Sequence, residues 1–367
     1  MNITNEFTAA GILLNACGAS YKIFSKLCEN YEPGDLFKGG NFWKELGLNK
    51  NLQIKLAALI ENHWAEKEIL RAENFGARFI TAMDLDYPAK LKDLSNPPVG
   101  LYVKGNANIS LPSVAIVGTR KCSDYARTIA TKLAKTLAQK NITVISGGAR
   151  GIDSAGHRGC LSENGITIAV FGTGIDQVYP VENRDLFARI LDKGAIISEF
   201  PMGTGGESWR FPTRNRIILG IASRIVVVES PEGGGAMHTA RGALEIGREV
   251  WSVPGRITDS VCRGTNRLLG EGAKVFLGVN DFIESVTGNK QFDLNFDAED
   301  SRTESVAPKL TDEEKIIYSL LQRQGGRTAD EISIESKLDF VTIQEALMNL
   351  EAEGLIMNSS GRYSATA

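Results

Sequence analysis

The sequence predicts an α/β fold: a Rossmann-like doubly wound parallel sheet with an N-terminal helical domain and a C-terminal winged-helix domain. Three observations carry this. From Ser113 onward, short runs that are apolar on both faces recur at intervals of roughly 25 to 30 residues, as strands covered by helices on both sides require. Ahead of them the apolar residues fall at helical spacing, and behind them comes a helix, helix, helix, hairpin order. The expected layout is a helical domain over 1–75, the sheet over 76–280, a linker over 281–309 and the winged-helix domain over 310–367.

Each part rests on its own residues. "AAGILLNA", "YKIFSKLCENY" and "LQIKLAALIENHWAEKEILRAENF" space apolar side chains three and four apart, so residues 1–75 read as helices. "ARFITAMDLDYP" and "PPVGLYVKG" read as short strands joined by a proline-rich link. The buried runs follow as "VAIVG", "TVISGG", "TIAVFG", "AIISEF", "RIVVVE", "EVWSVPG" and "KVFLG". Residues 281–309 hold seven acidic against three basic residues and little periodicity, the composition of a linker. "TDEE" from Thr311 and "TADE" from Thr328 are capping boxes that open helices, and "LIMNSSGRYSATA" supplies two strands about a turn.

Charge is unevenly placed along the 367 residues, whose net charge is −3. Val114 to Asn280 carries 21 Lys and Arg against 15 Asp and Glu, a balance of +6, whereas the remainder carries 20 against 29. Only the middle of the chain therefore suits an anionic partner. Five scattered cysteines without a CxxC pair read as reduced thiols, with no zinc or other metal site. "LLNAC" at Leu13 to Cys17 has no preceding Lys or Arg, and no apolar run approaches the roughly 20 residues that span a bilayer. A cytoplasmic protein is expected.

In an open parallel sheet ligands bind beyond the carboxyl ends of the strands, so the loops there matter most. They are "GTRKCS" (Gly118, Thr119, Arg120), "SGGARGID" (Ser146, Gly147, Gly148, Ala149, Arg150, Gly151), "GTGIDQVYP" (Gly172, Gly174), "SEFPMGTGG" and "ESPEGGGAMHTA". Glycine lets a backbone approach a ligand, and helices that start after such loops aim N–H groups at anions. "GTRKCS" lacks the GxGxxG of a dinucleotide site, so no nucleotide cofactor is expected. Arg120 suits a phosphate, or else pairs with Asp124. Asp153 reads as a helix cap or a catalytic acid, and His157 and His238 are lone histidines.

"FPTRNR" adds Arg210, Phe211, Arg214, Asn215 and Arg216. If a helix begins near Ile217, these cations crowd its positive end, a placement that a bound anion would relieve. The alternative is that Arg214 and Arg216 pair with Glu199 or Glu229.

Taken together, "AIVGTRKCSDYA", "ISGGARGIDSAGH", "IAVFGTGIDQVYPVENRDLF", "ISEFP", "FPTRNRIILGIASRIVVVES", "ALEIGREVWSVPG" and "GTNRLLGEGA" closely resemble the DNA-processing protein A (DprA/Smf) family. The resemblance covers about residues 76 to 280 and implies a non-enzymatic protein that binds single-stranded DNA in natural transformation. It further implies that incoming strands are protected and the RecA recombinase is loaded onto them, and that the protein is a homodimer through the sheet domain. The family's phosphate-gripping arginines match Arg120, Arg214 and Arg216, with Ser146 to Gly151 lining the same pocket. The helical front resembles a SAM or helix-hairpin-helix domain, although "NACGAS" lacks the expected Gly-x-Gly. "GGGAMHTA" also departs from the family's "SGxLxTA".

Phe211 and Trp209 are candidates for stacking bases. The third helix of the tail carries Glu345, Glu351 and Glu353 without Lys or Arg, which opposes duplex binding. Two alternatives remain. A nucleotide phosphoribohydrolase would need "PEGGGAMHTARGALE" to act as a PGGxGTxxE loop with Glu245 in place, and a transcription regulator would use the tail on duplex DNA.

Overall fold

Short β-branched runs build a large sheet, here seen in a computed structural model that describes residues 3–287, 310–324, 327–336, 338–353, 355–359 and 361–365. Its strands are β1 (Ala77–Thr81), β2 (Gly100–Gly105), β3 (Ser113–Val117), β4 (Thr143–Ser146), β5 (Thr167–Phe171), β6 (Ala195–Ser198), β7 (Arg224–Val227), β8 (Glu249–Ser252) and β9 (Lys274–Val275). They lie in the order β1-β2-β6-β5-β4-β3-β7-β8-β9. From β6 to β9 the pairing is parallel, and β2 joins β6 antiparallel with Val103 opposite Ile197. The strand order reverses between β3 and β7, so the loop after β3 flanks a topological switch and the loop after β4 follows it on the same carboxyl edge, the edge where ligands bind in such sheets.

Alternate residues of a strand serve opposite faces, and both faces are covered. Val114 and Ile116 of β3 join a core with α6 (Asp124–Gln139), α7 (Ile152–Ser162) and α12 (Val279–Thr287). Ala115 and Val117 join the other core, with α8 (Arg184–Lys193), α9 (Arg210–Ile221) and α10 (Gly235–Glu245). Helix α11 (Arg263–Gly270) adds Leu268 to that second core.

The chain divides into two units, Met1–Gln291 and Phe292–Ala367. Helices α1 (Ile3–Cys17), α2 (Tyr21–Asn30), α3 (Asn41–Leu46), α4 (Lys50–Glu61) and α5 (Trp64–Asn74) form the helical front expected over 1–75. Rather than standing apart, they share one core with the sheet: Ile12, Leu13 and Leu14 pack with Phe79, Ile80 and Leu101. The buried Glu68 of α5 accepts hydrogen bonds from the Met202 amide at 2.6 Å and the Tyr102 hydroxyl at 2.9 Å, tying this front to the loop after β6.

Two boundaries differ from expectation. Helix α12 occupies the start of the 281–309 stretch, because Phe282 and Ile283 are buried, Phe282 edge-on to Trp251 at 5.2 Å; the rest of that stretch lies outside the described residues. Helix α9 begins at Arg210 rather than near Ile217. Pro212 falls in its first turn, where a missing N–H costs no hydrogen bond, so Arg214 and Arg216 lie beyond the positive end. The dipole conflict is confined to Arg210, which is met by the Gly205 carbonyl at 2.7 Å and Glu207 at 3.1 Å.

The second unit has α13 (Asp312–Gln324), α14 (Ala329–Ser336), α15 (Phe340–Ala352) and a hairpin of β10 (Ile356–Ser359) with β11 (Arg362–Ala365), the order expected from the sequence. Its core includes Ile317, Leu321, Ile332, Leu347 and Ile356. Both capping boxes form: the Thr311 amide donates to Glu314 at 2.8 Å and the Thr328 amide to Glu331 at 2.9 Å, each reciprocated. Among the described residues no helix is long and apolar enough to cross a membrane.

Candidate nucleic-acid interface

At the carboxyl ends of β3, β4 and β5, one cleft is lined by Arg120, Gly147, Ala149, Arg150, Tyr179, Pro180, Phe211 and Arg214. The loops after β3 and β4 reach it through tight backbone packing. The Thr119 amide donates to the Glu229 carbonyl at 2.7 Å, and the Ile152 amide to the Thr119 carbonyl at 3.3 Å. A Cβ on Gly118 would lie 2.6 Å from Ile152, and Gly151, at φ +75°, has the Thr119 carbonyl where a Cβ would go. Only glycine fits such left-handed and crowded positions without strain.

Beneath the cleft sits a buried ionic layer. Arg214, 4% exposed, donates to the carbonyls of Gly147, at 2.7 Å, and Val170, and through Nε to Asn215 at 3.1 Å. Asp153 accepts from the amides of Gly147 at 3.1 Å and Ala149 at 3.2 Å. It therefore fastens the preceding glycine loop, neither capping its own helix nor standing free as an acid. Burial pushes the Asp153 carboxyl up, while Arg214 and the two amides oppose that rise. Burial, helped by Arg120, draws the Arg214 guanidinium down to about 10, which leaves it charged at neutral pH. Asn183 completes the scaffold by donating to the Gly148 carbonyl at 2.9 Å.

The cleft's mouth is different in character. Arg120 is exposed and its guanidinium lies 5.3 Å from the Phe211 ring centroid. Among the described residues no carboxylate pairs with it; Asp124, the expected alternative partner, is 3.6 Å from Arg127 instead. Arg150 pairs with Glu182, both more than half exposed, a solvent-screened contact that an arriving phosphate can replace. Phe211 and Tyr179 stack at 5.2 Å with a 35° tilt and form an aromatic wall.

Six of the residues picked from the sequence thus meet in one cleft: Arg120, Gly147, Ala149, Arg150, Phe211 and Arg214. Gly118, Thr119, Ser146, Gly148, Gly151, Gly172 and Asn215 support it, Gly172 by leaving room for Phe211, whose Cδ1 would be 2.8 Å from a Cβ. Three belong elsewhere. Arg216 pairs with Glu199, whose carbonyl also accepts from Asn15 at 2.7 Å, because its position on α9 points it toward the helical front. Arg210 is held by Gly205 and Glu207, and Gly174 packs under the Pro201–Gly203 turn. Glu229 accepts from the Ser123 amide and hydroxyl at 2.8 and 2.7 Å and, among the described residues, pairs with no arginine.

Tyr179 and Pro180 also line the cleft, and the sequence signal for them is the "YP" that closes the loop after β5 at the strand ends. His157 is buried and drawn down to about 3 by desolvation, then by Arg214; it contacts the Thr167 hydroxyl at 2.7 Å. His238 is exposed, as is Glu245, the last residue of α10 and therefore at the far end of that helix from the loops that start it. Among the described residues no group of His, Cys, Asp and Glu could hold a metal ion.

The family model described as DNA recombination-mediator protein A matches residues 78–287, and that of the sugar-specific transcriptional regulator TrmB matches 309–365. The chain is 33% identical over 326 residues to a putative DNA processing protein DprA of Mycobacterium tuberculosis, covering 83% of each. It is 40% identical over 214 residues to protein Smf of Synechocystis, covering 57% of this chain and 54% of that protein. Among solved structures, DNA processing protein A of Streptococcus pneumoniae superposes with a TM-score of 0.66 at 31% identity, covering 74% of this chain and 95% of that one. The Helicobacter pylori protein, solved for insight into its unique single-stranded DNA binding mode, gives a TM-score of 0.53 at 28% identity, covering 57% and 96%.

Proposed function

The chain belongs to the DNA recombination-mediator protein A family, and from that premise we propose that it binds single-stranded DNA at the cleft between the β3 and β4 loops and α9. The observation that carries the reading is Arg120: an exposed guanidinium without a carboxylate partner among the described residues, set over glycine turns at the carboxyl edge of the sheet. Arg120 grips phosphate, Arg150 joins by exchanging Glu182, and Arg214 builds the floor. The Helicobacter pylori relative, described by its single-stranded DNA binding mode, supports the choice of ligand.

On the same premise the protein acts in natural transformation in the cytoplasm, protects incoming strands, hands them to the RecA recombinase and pairs with a second copy through its sheet unit. The tail reads as a winged helix, consistent with the TrmB match. Its third helix, with Glu345 and Glu351 exposed and Glu353 following, opposes use on duplex DNA. No enzymatic role is proposed; Glu245 stands at the wrong end of α10 for the hydrolase alternative. Fluorescence anisotropy with labelled oligo(dT) and a duplex of equal length tests the proposal. Tighter binding of the single strand supports it, and equal or weaker binding overturns it.

A further inference from the structure

The geometry points to a second base-binding platform on Trp209, on the far side of the α9 N-terminus from the cleft; this rests on the single-stranded DNA reading above. Trp209 is 56% exposed, whereas Trp43 and Trp251 are each 9% exposed and Trp64 is packed against the core. An exposed indole on a free loop would sweep many rotamers, but this one is held on three sides. Its Nε1–H donates to Glu207 at 2.5 Å, its ring meets Phe200 edge-on at 6.5 Å, and the Arg210 guanidinium lies 4.9 Å from its centroid. Arg210 is itself fixed by the Gly205 carbonyl and by Glu207, so Glu207 is neutralised by a neighbour and does not stand as a bare charge against a phosphate.

The loop that carries Phe200 is anchored as well. Glu68 holds the Met202 amide and Asp176 holds the Gly203 amide at 2.7 Å. The result is a rigid aromatic surface that contributes little to the core and is cation-backed, the features that let an aromatic side chain stack a base without sequence preference. Its position fits the path of a strand. Trp209 and Phe211 lie two residues apart at the start of a helix, so they project roughly 200° apart around it. A strand whose phosphate sits at Arg120 and which crosses the helix end passes from the Phe211 wall to the Trp209 face. The ligand at this platform is a nucleobase of the same strand, and it makes no phosphate contact.

The exposed indole is its own probe. Titrating oligo(dT) into the full chain should quench tryptophan fluorescence over the same concentration range as binding of a labelled strand. Trp209→Ala should abolish most of the quenching and weaken oligo(dT) about tenfold, while leaving the salt dependence unchanged. An oligonucleotide of abasic sites should bind wild type and Trp209→Ala equally. Undiminished quenching and affinity in Trp209→Ala, with Arg120→Ala still weakening the strand, would overturn the platform and leave the cleft standing. No effect from either substitution would remove the cleft reading as well.

Discussion

Arg214 Nη1 donates to the Gly147 carbonyl at 2.7 Å, so an arginine of the "FPTRNR" stretch holds the "SGGARG" turn from beneath. The same side chain is the countercharge to buried Asp153, which fastens that turn through two amides. Removing one of two buried opposite charges leaves the other uncompensated. Arg214→Met should therefore lower stability by about 3 kcal/mol, with Arg214→Met/Asp153→Asn losing less than the sum of the two single changes. Urea unfolding of the four proteins checks this.

Gly147 leaves room for both of those side chains: a Cβ there would be 2.5 Å from Arg214 Nη2 and 2.8 Å from Asp153 Oδ2. Gly147→Ala should weaken oligo(dT) binding at least about tenfold and destabilise the fold by about 1–3 kcal/mol, through overpacking of the turn. Anisotropy and urea unfolding on the same sample read both effects.

Arg216 was expected at the phosphate but pairs with Glu199, whose carboxyl burial pushes up against the lowering effect of that arginine. Arg216→Met should destabilise by about 3 kcal/mol at pH 8. The loss should shrink toward pH 5 as the orphaned carboxyl takes up a proton. The salt dependence of oligo(dT) binding should stay as in wild type.

Buried His157 carries the opposite pH signature. Its folded value of about 3 lies below the ordinary 6.5, so between these values the unfolded chain holds the extra proton. The stability is intact above 6.5 and is lost as pH falls through that window. Between pH 7 and pH 5 the wild type should lose about 2 kcal/mol more than His157→Gln, measured by urea unfolding at each pH.

How far the sequence reached depended on whether the signal was local. Runs such as "VAIVG" and "TIAVFG" announce buried strands because every residue must be apolar, and Thr311 and Thr328 announce helix starts because the capping boxes are four residues long. The loops after β3 and β4 could be placed at one sheet edge for the same reason. What failed was direction. Arg214 and Arg216 are two residues apart on a helix that starts earlier than the apolar run suggests, so they point to different places, one under the cleft and one toward Asn15 and the helical front. Tyr179 reaches the cleft through a long-range approach to Phe211 that no spacing encodes. Helix α12 is hard to read in the sequence because its buried face, Val279, Phe282, Ile283 and Val286, runs into an acidic stretch.

The most direct test of the cleft is the salt dependence of oligo(dT) affinity in wild type and Arg120→Ala. If Arg120 grips a phosphate, the substitution should weaken binding and flatten the slope of log K against log salt by about 0.7, one phosphate's worth for a single strand. An Arg120→Ala protein with wild-type affinity and slope would contradict the assignment.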